Sequence, residues 1–183
     1  MFHRTSTRLA AVLLAATLPL AACVDESDTK VGETSEDLEE SVEAKENEKP
    51  SFNVEETDPK VTDKITGESV EDPAMELSYK WQGTSSSGNG SVVVVAVTNK
   101  SDAPMPVDAL TPALRYNTGD DNFTDATYIS DPEKADVDVV GIDRPLGPGA
   151  TTNAKFPFDV APGNLWDAEF TLGNVTFKGN LNN

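Results

Sequence analysis

Residues 75–99 read MELSYKWQGTSSSGNGSVVVVAVTN. Met75, Leu77, Tyr79 and Trp81 alternate with Glu76, Ser78, Lys80 and Gln82. A β-strand turns that period of two into one dry face and one wet face. SSSGNG predicts a turn, and the apolar, β-branched run SVVVVAVT predicts a central strand. The alternation returns downstream. ADVDVV sets Val137 and Val139 against Asp136 and Asp138, and TNAKFPFDV sets Ala154, Phe156, Phe158 and Val160 against Asn153, Lys155, Pro157 and Asp159. WDAEFTL places Trp166, Ala168, Phe170 and Leu172 inward, and Val175 and Phe177 continue the pattern. Weaker strands near Ala113–Asn117 and Ala126–Ile129 bring the total to about seven to eight, the spacing of a two-sheet sandwich. Pro148-Gly149 and Pro162-Gly163 predict type II turns. Pro157 has no N–H to give a ladder, so its strand is expected to carry a free edge or a bulge. The expectation is an all-β, antiparallel β-sandwich over residues 73–183.

Upstream the composition changes. Residues 24–72 hold 18 acidic and 5 basic residues and one aromatic, Phe52. Such a stretch buries too little apolar area to offset the entropy of ordering it, which predicts a disordered acidic tether over residues 23–72. As a flexible coil it would span about 40 Å. The segment VEETDPKVTDKITGESV is the part able to join the fold as an edge strand, and Asp72-Pro73 is the expected boundary. The net charge of −18 excludes nucleic acid as a partner, because phosphate binding needs a basic face.

Residues 1–22 carry Arg4 and Arg8, then an apolar run too short to span a bilayer, then small residues, the plan of an export signal. The one cysteine of the chain, Cys23, follows at once. Leu20-Ala21-Ala22-Cys23 resembles the lipobox of bacterial lipoproteins. That resemblance implies cleavage before Cys23 and a diacylglyceryl group on its sulfur. Cysteine suits the chemistry because its thiolate is the strongest side-chain nucleophile for a stable thioether. Two acyl chains then hold the protein to the membrane where one holds it only marginally. The expected location is the outer face of the bacterial cell membrane.

Past Cys23 the chain has no other cysteine and no histidine, since His3 lies in the signal. Disulfide frameworks, Cys/His zinc sites, cysteine nucleophiles and histidine bases are thereby excluded. Ser85-Ser86-Ser87 lacks a base and reads as turn chemistry. In TGDDNFTDATYISDPEKADVD, Asp120, Asp121, Asn122, Asp125, Asp131 and Glu133 supply the oxygens that calcium requires, although the spacing departs from the EF-hand loop. Asp120, Asp121 and Asp125 are the candidate ligands, with a solvated acidic loop as the alternative. Trp81 and Trp166 would stack on sugar rings if exposed, but both fall in phase with core residues.

The segments VVVVAVTNKSDAP, LGPGATTNAKFPFDVAPG and WDAEFTLGNVTFKGNL together resemble the small immunoglobulin-like domains on surface lipoproteins of Gram-positive bacteria, especially actinobacteria. The resemblance covers Met75 to Asn183 and implies an immunoglobulin-like sandwich at the cell envelope without implying an activity. The expected function is a non-enzymatic, membrane-anchored protein-interaction module with no cofactor and an envelope protein as partner. The alternative is a calcium- or small-ligand-binding accessory of a transporter or cell-wall enzyme.

Overall fold

The computed structural model describes residues 49–88 and 90–183. Nine strands form two sheets. The four-stranded sheet has the order β2 (Ser69–Glu71), β3 (Leu77–Ser87), β4 (Gly90–Asn99), β7 (Thr151–Phe158). The five-stranded sheet has the order β1 (Lys60–Thr62), β9 (Val175–Gly179), β8 (Ala168–Leu172), β5 (Pro112–Asn117), β6 (Phe123–Asp125). Every pairing is antiparallel except β1 with β9. Strands β3 to β9 follow the immunoglobulin Greek key: β3, β4 and β7 take the places of A, B and E, and β9, β8, β5 and β6 those of G, F, C and C′.

The alternation read from the sequence becomes the inner faces. Tyr79, Trp81, Val93, Val95, Val97, Phe156 and Phe158 from one sheet meet Leu114, Phe170, Leu172, Val175 and Phe177 from the other, all buried. Trp81 lies across the interface, 6.0 Å from the Phe170 ring and 5.5 Å from Phe177. Each such fully buried aromatic or aliphatic side chain contributes about 1.5–3 kcal/mol of transfer free energy. The β3–β4 hairpin is tighter than SSSGNG suggests, because Ser85–Ser87 belong to β3 and pair with Val92, Ser91 and Gly90.

Several expectations give way. The sandwich begins before Pro73: β1 and β2 each add an edge, and Phe52 packs against the core, so residues 49–72 belong to the folded unit. Apart from Asp72, the acidic side chains there are exposed, while a few apolar ones, Val70 above all, reach the core. ADVDVV forms no strand. Residues 126–150 instead run along the outer edge of β7, with Asp159 N donating to Thr127 O (2.9 Å), Ile129 N to Pro157 O (2.9 Å) and Gly141 N to Lys155 O (2.7 Å). Pro157 does sit in the last strand of its sheet, as a residue without an N–H should, but that edge is covered. Trp166 is not in the core: it closes a 3₁₀ helix, Pro162–Trp166, and is 54% exposed. Gly149 has the positive φ of a type II turn (69°), whereas Pro162-Gly163 opens that 3₁₀ helix.

The NKS turn after β4 has a physical reason. Asn99 is fully buried, and its side chain donates to Ala103 O (2.7 Å) and Leu146 O (2.8 Å) while accepting from Ser101 N (3.0 Å) and Ser101 Oγ (2.7 Å). One amide thus joins the β4–β5 connection to the LGPG turn before β7. Asn99→Ala strands those partners without water, and the expected loss is about 2–4 kcal/mol in urea unfolding. Asn99→Asp turns a carboxylate on two carbonyl oxygens and should cost more than alanine; an aspartate variant as stable as wild type would refute this role.

Candidate functional site

The two ends of the sandwich differ in chemistry. One end holds the β8–β9 turn, the β4–β5 connection and the strap Val54–Pro59. At its centre Asp72, 8% exposed, accepts five hydrogen bonds. Oδ1 receives Ala74 N (2.9 Å), Met75 N (2.8 Å) and Asn174 Nδ2 (2.9 Å), and Oδ2 receives Tyr79 Oη (3.1 Å) and Asn174 N (3.0 Å). Burial pushes the Asp72 carboxyl up, but the bonds from the Asn174 side chain, Met75 N, Ala74 N and Asn174 N outweigh it and hold the group below its ordinary value. The Tyr79 hydroxyl is driven far upward by burial and then by the Asp72 charge and hydrogen bond, so it remains a donor.

Asn174 carries the strap as well. Its Nδ2 donates to Glu55 O (2.8 Å), its Oδ1 accepts from Thr57 N (2.8 Å), and its O accepts from Lys60 N (2.8 Å). The turn places Gly173 at φ 55°, where a Cβ would stand 2.5 Å from Tyr79 Oη and 2.7 Å from Met75 Cε. Beside this network lies a cleft of about 240 Å³, lined by Val54, Glu55, Thr57, Met75, Ala109 and Asn174 among others. Its central polar residue, Asn174, spends both amide hydrogens and its oxygen on the protein itself. The arrangement fastens an N-terminal segment and leaves no side-chain amide to greet a ligand.

The other end carries the β3–β4 and β5–β6 hairpins and the 3₁₀ helix. β8 runs from Trp166 to the Asp72 end, about 17 Å at 3.4 Å per residue. Asn117 joins two of these loops: its N donates to Asp167 O (2.9 Å), its Nδ2 to Asp167 Oδ2 (2.7 Å), and its Oδ1 accepts from Gly119 N (2.8 Å). On the adjoining outer face of the five-stranded sheet, Glu169 is held by Arg115 (3.2 Å) and Lys178 (3.0 Å), and Arg115 and Lys178 lie 4.9 and 5.8 Å from the Phe123 ring centre. Exposed Trp166 borders this cluster through Asp167.

The acidic residues considered for calcium are dispersed. Asp120 and Asp121 (φ 52° and 58°) are the central pair of a tight hairpin turn closed by Asn122 N to Gly119 O (2.9 Å), and residues with positive φ at both positions are what a type I′ turn demands. Asp125 lies across the ladder from Arg115. Asp131 caps the short helix α1 (Pro132–Ala135) by accepting from Glu133 N, and it pairs with Lys134 (3.5 Å). Among the described residues no group of three His, Cys, Asp or Glu side chains converges on a common point. Turn chemistry accounts for Asp120 and Asp121 and cap chemistry for Asp131, while Asp125 belongs to strand β6. Cys23 lies outside the described residues, and no helix among those described is long and apolar enough to cross a membrane.

Compared with known proteins, the chain matches no family model, no curated protein and no solved structure. The Asp72–Tyr79–Asn174 network also escaped the sequence reading. Asp-Pro before a strand signals a side-chain-capped turn, and a tyrosine in phase with the core needs a polar partner; together those were the available signals.

The sign of the Asp72 shift makes a prediction. Its folded value lies below the unfolded one, so its contribution to stability is complete above the unfolded value of about 4 and is lost as pH falls through the folded value. Asp72→Asn should lower stability at pH 7 by about 2–4 kcal/mol and flatten the acid limb of a urea-midpoint profile taken from pH 7 to pH 2.5. Parallel profiles for the two proteins would contradict the assignment.

Proposed function

We propose that this chain is a lipid-anchored protein of the outer face of a bacterial membrane, and that its sandwich is a non-enzymatic protein-interaction module working through the end that bears Trp166. The observation that carries the reading is the 54% exposure of Trp166 in a turn whose preceding residue, Leu165, is fully buried. An exposed tryptophan on a rigid base loses little entropy when it docks, and tryptophan is prominent among interface hot spots. Within the sandwich, the strap Val54–Pro59 is fastened at the Asp72 end, opposite the end that bears Trp166. The anchor itself rests on the sequence Leu20-Ala21-Ala22-Cys23.

Two experiments test this. Photoreactive residues at Asn164 and Asn122, both in loops of the Trp166 end, should capture one dominant protein in intact cells, and a probe at Val54 at the opposite end should not. Capture restricted to Val54, or adducts only with lipid and wall material, would defeat the interaction reading. Cys23→Ala should shift the protein from the membrane to the soluble fraction; a variant that still needs detergent for release would defeat the anchor.

A further inference from the structure

Trp166 stands at an end whose carboxylates include several without a direct ion pair. Asp167 follows it directly, Asp120 and Asp121 occupy the turn tied to Asp167 through Asn117, and Asp159 comes just after β7 at the same end. Among the described residues no ion pair engages any of these four. On the adjoining sheet face Arg115 and Lys178 both pair with Glu169, and the Asp167 charge also acts on Lys178. Helix α1, held to the β3–β4 hairpin by the Ser87 hydroxyl on Ala135 O, brings Glu133 and Asp136 against a single Lys134. The exposed indole therefore sits at an end where carboxylates outnumber cations.

That combination selects its occupant. An indole face attracts an ammonium or guanidinium group, and surrounding carboxylates both steer and retain it. An anionic lipid or wall polymer would be repelled. A neutral glycan would want further open ring faces, yet Phe123 on the adjoining sheet face already has two cations close to its ring. Resting on the interaction reading above, we infer that the Trp166 end recognises a lysine- or arginine-rich segment of a partner protein, with Trp166 as the stacking anchor and Asp120, Asp121, Asp159 and Asp167 as the acidic rim.

The test uses the purified full chain and a fluorescein-labelled lysine decapeptide, read by anisotropy, with a glutamate decapeptide and a soluble chitooligosaccharide as competitors. Trp166→Ala should weaken binding about tenfold, with partial recovery in Trp166→Phe. Asp120→Asn with Asp121→Asn keeps residues that tolerate positive φ, and should weaken binding several-fold and reduce its salt dependence. Intrinsic fluorescence gives a second readout, because Trp81 is buried in the core and a change on binding reports Trp166. Equal affinity for wild type and both variants would place the peptide elsewhere on this acidic chain and overturn the inference, as would competition by the oligosaccharide but not by unlabelled lysine peptide. A partner captured in cells at Asn164, with no Trp166-dependent peptide binding, would overturn the basic segment and spare the interaction module. Trp166-dependent peptide binding without capture would do the reverse.

Discussion

Asp72 is a nearly buried carboxylate with no ion-pair partner among the described residues, and the layout of one end of the sandwich follows from satisfying it. Such a charge survives only where donors converge, and here they come from three places in the chain: the turn into β3, the β3 tyrosine and the β8–β9 turn. Asn174 then extends the same network to the strap, so that β1 is delivered to the edge of β9 in parallel register. Asn99 performs the matching task for the loops that flank β4 and β7. Two small polar side chains thus set how the connections cross the open end of a core that is otherwise hydrocarbon.

The edges show a consistent economy. β1, β2 and β6 are three residues each, which leaves little unpaired backbone for another chain to add to. The longer β7 is covered by the segment that follows β6, and its proline faces that cover instead of solvent. Contact with other proteins is therefore better carried by side chains on loops than by strand addition. Trp166 fits that pattern, since it sits on a 3₁₀ turn anchored by Leu165 and by the Asn117–Asp167 bonds.

Legibility in the sequence tracked the physical signal. β3, β7, β8 and β9 were readable from alternation, β4 from a continuous apolar run that is buried on both faces, and β5 more faintly. β1 and β2 were legible only as an acidic segment able to add an edge strand, because three-residue edge strands bury one side chain at most. ADVDVV had the right period and formed no strand: its valines are half-buried beneath a connection that covers β7, and alternation over so few residues does not distinguish that from a ladder. Trp166 had the right phase for β8, but Pro162 starts a helical turn whose period carries the residue out of register before the strand begins at Ala168.

The sequence by itself determined the fold class, the pair of sheets and most of the core, because period-two burial is a local property that each strand records in its own residues. It also determined the acidic character and the single cysteine within a lipobox-like run. Only the tertiary structure decided that Asp72 is buried and fully bonded, that the tightly turned Asp120 and Asp121 do not converge with Asp125, and that one tryptophan is core while the other faces solvent. Those outcomes depend on partners about 50 to 100 residues away, such as Asn174 for Asp72 and Asp167 for Asn117. No local pattern encodes such distant pairings.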